Sequence, residues 1–139
     1  MSAKPRGIRL AATLEREIEE EAELRGQSFS AVSAELLREA VRMRRAPGIV
    51  FTDGPAGRRA TIAGTGLDVW EVIARYRHLG GDAQKAREEF SWLSDLQFRA
   101  ALSYYKLYPE EIEARLAREE QWTQEKVYER YPFLAPRGS

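Results

Sequence analysis

A mainly α-helical chain with short β elements is the fold class that three features of the sequence predict. Apolar residues recur at helical spacing on either side of Gly26. The stretch "GIVFTDGPAGRRATIAG" alternates strand-forming residues with turn formers, as a β-hairpin does. From Asp68 onward, capping residues and apolar stripes alternate as far as Pro109 and beyond. With 139 residues, 43% of them hydrophobic and 32% charged, the chain can form one domain or two small ones. Segment boundaries are expected at residues 1–46, 47–117 and 118–139.

In the first segment, Ile8 and Leu10 alternate with Gly7, Arg9 and Ala11, the period of a short strand with one buried face. Thr13 precedes a helical pattern of Leu14, Ile18 and Ala22, with Glu17 and Glu19, Glu20 and Glu21 facing water. Gly26 ends that helix, and Ser28 or Ser30 caps the next. There, Val32, Leu36, Leu37, Ala40 and Val41 form an apolar stripe that Pro47 and Gly48 stop. About 40 residues of this kind bury too little surface to fold alone, and a solitary strand has no pairing partner. Two copies solve both problems. Their strands pair into an antiparallel ribbon whose outer face presents Gly7, Arg9 and Ala11, and a ribbon of that width fits the DNA major groove. Arg9 could reach guanine O6 and N7 there, or stand as a solvated residue on an arm that only dimerises.

This strand, helix, glycine turn and serine-capped helix resembles the ribbon-helix-helix family of repressors and antitoxins, on "IRL", "ELRGQSFS" and "ELLREAV" within residues 4–45. The resemblance implies a homodimer, base contact from the outward strand positions, Arg9 above all, and a phosphate held at the N-terminus of the second helix by Ser28, Phe29 and Ser30. Gly7 and Ala11 depart from the polar readers usual at outward positions. Lys4 and Arg6 would then add salt-dependent phosphate affinity.

The hairpin of the middle segment is expected to run through residues 49–52, a loop of residues 53–57, and residues 59–63. Asp68 and Glu71 have the spacing of a capping box, opening a helix whose buried face is Val69, Val72, Ile73 and Tyr76. Gly80 and Gly81 close it. Asp82 opens a second helix to about Phe90, and Ser94 or Asp95 a third with Leu96, Ala100, Tyr104 and Leu107 as its stripe, broadened by Phe98 and Leu102. The stretches "TDGPAGRRATIAGTGLDVWEVI" and "LSDLQFRAALSYY" resemble the domain-of-unknown-function family 433 over about residues 49–116. What that implies is a homeodomain-like three-helix fold and kinship with antitoxins of the VapB kind, whose partners are nuclease toxins of the PIN fold. Arg58 and Arg59 stand where the family has Lys-Pro, and Gly66 replaces its arginine. The third helix could read DNA through Asp95, Gln97, Arg99, Ser103 and Lys106, or serve as scaffold or partner contact.

Pro109, Glu110 and Glu111 start another helix, in which Ile112 and Leu116 can pack on the preceding domain. Beyond it the stripe weakens while Trp122, Tyr128, Tyr131 and Phe133 persist, so the tail either anchors in a partner's groove or packs on its own domain or dimer mate.

The N-terminal residues carry no apolar signal core, no run approaches the roughly 18 apolar residues of a membrane span, and there is no cysteine. A cytoplasmic protein without membrane attachment, disulfides or thiolate metal sites is expected. Lys and Arg number 22, as do Asp and Glu, so any DNA-binding face is a local patch. His78 has no second imidazole to share a metal and reads as a helix-end or surface residue. Gly64-Thr65-Gly66 lacks the lysine of a P-loop and the third glycine of a dinucleotide site, which leaves it as a turn between strand and helix. No nucleophile, base and oxyanion site assemble, so no enzyme and no cofactor is expected. These readings converge on an antitoxin that dimerises, binds its own operator DNA as a transcriptional repressor and neutralises a PIN-type nuclease. A stand-alone regulator without a toxin and a non-DNA oligomerisation or adaptor module are the alternatives.

Overall fold

The computed structural model describes residues 4–122 and 124–136. Mainly helical, at 63%, with one small antiparallel sheet, the chain divides into two compact units, residues 1–44 and 45–139.

The first unit contains α1 (Ala12–Arg25) and most of α2 (Phe29–Arg45). Thr13 lies inside the first turn of α1, not before it, and Ala11 is the capping position with no side chain to offer. Gly26 takes φ 63°, a conformation that costs glycine little. Its N–H donates to Glu23 O at 3.2 Å, and the Gln27 N–H reaches Ala22 O at 3.0 Å. That paired closure satisfies two carbonyls at the helix end. Of the two candidate serines, Ser28 is the cap, its Oγ accepting from the Ala31 N–H at 3.1 Å. The core is small: Ile18, Ala22 and Val32, with Leu10 against them.

Residues 4–11 form no strand within the single chain, contrary to the period-two expectation, and Ile8 is exposed rather than on a buried face. A strand needs a ladder partner for its N–H and C=O groups, and among the described residues none pairs with that segment. The α2 stripe is likewise on the surface: only Val32 is buried, while Leu36, Leu37, Ala40 and Val41 are exposed.

In the second unit the hairpin is tighter than expected. Strands β1 (Ile49–Gly54) and β2 (Gly57–Ile62) pair from Ile49 opposite Ile62 to Gly54 opposite Gly57, so Pro55 and Ala56 alone form the tip. Gly57 carries the positive φ, 106°, that lets so short a turn close. The Gly64-Thr65-Gly66 corner is a turn, with both glycines left-handed. The Thr65 N–H reaches Ile62 O at 3.2 Å, and the N–H of Leu67, just past the corner, reaches Thr65 Oγ1 at 3.0 Å.

Helix α3 (Val69–His78) follows, with Glu71 accepting from the Asp68 N–H at 2.9 Å as the capping-box spacing predicts. Val69, Val72 and Ile73 are buried, whereas Tyr76 is half-buried at the edge of the core. Asp82 caps the short α4 (Ala83–Glu89), and Ser94, not Asp95, caps α5 (Asp95–Leu107) in a reciprocal pair with Gln97. The buried face of α5 is Phe98, Ala100, Ala101 and Tyr104, rotated from the expected stripe, so Leu96 and Leu107 are exposed. Leu96 lies in the first turn, where the Ser94 cap orients it away from the core that Phe98 enters. Helix α6 (Pro109–Glu120) begins at its proline and runs beyond residue 117, burying Ile112 and Leu116.

Tyr104, fully buried, organises this core against Phe51 at 6.3 Å and Tyr108 at 5.0 Å between ring centroids. Polar staples ring it. Arg77 Nη1 donates to Glu113 at 2.6 Å, and the Tyr105 hydroxyl donates to the same carboxylate. That bond holds the Tyr105 phenol above its ordinary range and the Glu113 carboxyl below the usual carboxylate range. The Arg75 hydrogen bonds lower Glu89 in the same way. A short α7 (Gln124–Arg130) and a 3-10 turn (Pro132–Leu134) follow and contact each other. No described helix is long and apolar enough to cross a membrane.

Candidate nucleic-acid interface and partner surface

Each unit holds one of the two surfaces that the sequence nominates. In the first, Lys4, Arg6, Gly7, Arg9 and Ala11 are all exposed along an irregular segment that leads into α1. Leu10 holds that segment to the core, and its neighbours Arg9 and Ala11 are exposed. Ser28, Phe29 and Ser30 form the first turn of α2 and its cap, all exposed. The Ser28 hydroxyl is spent on the Ala31 N–H. The amides of Phe29 and Ser30 precede the first intrahelical acceptor, so they are the donors an anion would meet at this end.

Beside this basic segment lies the larger anomaly of the unit. Leu37 is 54% exposed and Val41 48%, and they occupy consecutive turns of α2, with Leu36 and Met43 flanking them. Leu14 and Leu24 of α1 are exposed as well. A soluble chain rarely leaves so many large apolar groups on a unit whose own core has three buried residues.

In the second unit, Trp122, Tyr131 and Phe133 are exposed and Tyr128 is half-buried. Arg130 gathers the tail, its guanidinium lying 5.6 Å from the Trp122 ring centroid and 5.9 Å from that of Tyr131. Phe133 meets Tyr131 edge-on at 6.0 Å. Among the described residues, none of these aromatics belongs to the core built around Tyr104. The tail therefore presents a small aromatic cluster held by one arginine.

The proposed recognition face of α5 is partly committed to the fold. Asp95 accepts from Arg87 at 3.1 Å, and Gln97 is half-buried in the Ser94 cap. Arg99, Ser103 and Lys106 are exposed. His78 is exposed at the end of α3.

One grouping escaped sequence reasoning. The second unit brings Arg58 and Arg59 of β2 together with Arg115 and Arg118 of α6 around a single cleft. The spacing of Arg115 and Arg118 places them on one helical face, but nothing local links them to a hairpin more than fifty residues earlier.

A scan against protein-family models finds no match to this chain. Searches of curated proteins and of solved structures likewise find none.

Proposed function

We propose that the chain is a dimeric DNA-binding antitoxin that represses its own operator and neutralises a PIN-type nuclease. The observation that carries this reading is the exposed apolar face of α2 on a unit with almost no core of its own. A second copy placed on that face would bury Leu37 and Val41 and bring the two segments at residues 7–11 side by side, each supplying the ladder partner that the other lacks. Arg9 would then project twice from one ribbon. A pair of forked guanidiniums suits guanine edges in the major groove, while Lys4, Arg6 and the amides at Phe29 and Ser30 would hold phosphates.

Replacing Arg9 with alanine tests the DNA-reading step. Because Arg9 is exposed, the dimer should stay intact, while binding to the DNA preceding the protein's own coding sequence weakens by about 1–3 kcal/mol per site. Fluorescence anisotropy at fixed salt measures this. Unchanged affinity would remove Arg9 from the interface and favour an arm that only dimerises.

The toxin-binding part is supported by the exposed aromatics of the tail, since Trp and Tyr dominate the energetics of protein interfaces. A chain lacking residues 122–139 retains all of α6. It should still bind DNA but no longer co-purify with, or inhibit, a PIN-fold nuclease encoded beside it. Full inhibition by the shortened chain would assign toxin capture elsewhere, and absence of any such nuclease would leave the stand-alone regulator.

A further inference from the structure

The arginine cleft of the second unit belongs to neither the ribbon nor the tail, and its chemistry is independent of both. The cleft has a volume of about 60 Å³, room for a single oxyanion head group. Ala60 and Ile112 form an apolar part of its lining and Trp70 a wall. Its lining side chains carry four guanidiniums against one carboxylate, Glu111, which accepts the Tyr104 hydroxyl. Asp53, Asp68 and Glu119 pair with Arg58, Arg59 and Arg115 around the cleft, so the donors left for a ligand are the terminal nitrogens of Arg115 and the guanidinium of Arg118.

The guanidiniums are held before any ligand arrives. Arg58 Nη1 donates to Asp53 Oδ1 at 3.1 Å and Nη2 to Phe51 O at 3.1 Å. Arg59 donates through Nε to Thr52 Oγ1 at 3.2 Å, and its Nη1 lies 3.4 Å from the buried Asp68. Asp68 in turn accepts from the Trp70 indole at 3.0 Å, which ties the wall of the cleft to its charge. Arg115 uses Nε on Glu119 at 2.9 Å and lies 4.9 Å from the Trp70 ring centroid, so its two terminal nitrogens remain for a ligand. Arg118 is exposed at α6 and lines the same cleft. Fixed forks of this kind match a planar two-oxygen anion better than flexible ammonium groups would.

We propose that this cleft binds one carboxylate of a partner polypeptide, with an apolar neighbour of that acid resting on Trp70. The terminal nitrogens of Arg115 and the exposed guanidinium of Arg118 select an anion. The surroundings select a protein over a nucleic acid, because α6 also carries Glu110, Glu113, Glu119 and Glu120, which a continuous phosphate backbone would have to pass. A single side-chain carboxylate meets only Glu119 among them, which Arg115 already pairs.

The test uses the full chain, isotope-labelled, titrated at constant ionic strength with N-acetyl-Leu-Glu-Leu-amide. The readouts are the NMR signals of the Arg115 Nε–H and the Trp70 indole N–H. The glutamate peptide should shift both saturably, and its glutamine counterpart should bind roughly tenfold more weakly, the loss expected for one charge-assisted pair. Arg115→Gln and Arg118→Gln sit on a helix face that tolerates change, so the fold should persist; each should weaken binding by roughly threefold or more. Equal binding of the glutamine peptide, no saturable shift, or no effect of either variant would overturn the proposal. So would inorganic phosphate or a short DNA duplex moving the same signals at lower concentration than the peptide, which would reassign the cleft to phosphate.

Discussion

A Leu37→Glu chain should run at the mass of one molecule where the parent, on the dimer proposed above, should run at two. In the isolated chain Leu37 is more than half exposed, and a charged residue there costs little, within about 0.5 kcal/mol for an ordinary surface position. In a dimer packed through α2 the same glutamate would lie in an apolar interface, twice, by symmetry. An unpartnered charge in such a place costs several kcal/mol or forces its own protonation. The contrast between a small cost in one state and a large one in the other makes the substitution diagnostic. DNA binding should be lost with the dimer, because one chain cannot make a ribbon. The second unit should be untouched, and the near-ultraviolet dichroism of its buried Tyr104 and Phe98 should be unchanged. Sedimentation velocity of parent and variant at matched concentration reads the outcome. A variant that still sediments as a dimer would move the interface away from α2.

The second large effect concerns the core of the other unit. Tyr104→Ala removes a fully buried ring that meets Phe51 and Tyr108. Truncations of buried aromatic rings cost about 3–5 kcal/mol, which for a unit of this size is a large share of its stability. Tyr104→Phe separates the ring from the hydroxyl. That hydroxyl donates to Glu111, whose side chain reaches solvent, so the phenylalanine variant should lose only about 0.5–1.5 kcal/mol. Urea unfolding of the three chains followed by far-ultraviolet dichroism gives both differences. Equal losses for alanine and phenylalanine would place the energy in the hydrogen bond rather than in packing.

How much of the fold was legible depends on whether the cause is local. Gly26, the Asp68 and Glu71 pair, and Pro109 announce their helix ends in the sequence, because a cap is satisfied within a few residues of itself, whereas Ser94 and Asp95 stand as alternatives until Gln97 pairs with Ser94. Hairpin strands were legible, but not the tightness of their turn, which depends on Gly57 adopting a positive φ. The buried face of α5 was misread at Leu96 and Leu107, since leucine periodicity does not say which side of a helix the core occupies when Phe98 and Ala101 compete for it. The strand at residues 8–10 is absent from the single chain because its hydrogen-bond partners are not local at all. For the candidate surfaces, Arg9, Trp122, Tyr131 and Phe133 are exposed and Tyr128 is half-buried, while the arginine cleft was illegible. It is made when α6 lies beside the hairpin and α3, and no spacing in the sequence encodes that approach.

Dimer, ribbon and operator binding all rest on the claim that the first unit is half of a structure. Light scattering on the eluting peak of a gel-filtration run, over a range of concentrations, measures it directly. A mass of twice 15.9 kDa that persists on dilution is the result expected of a chain that completes its fold with a second copy. A mass of 15.9 kDa at every concentration, with the α1 and α2 signals still helical, would contradict it.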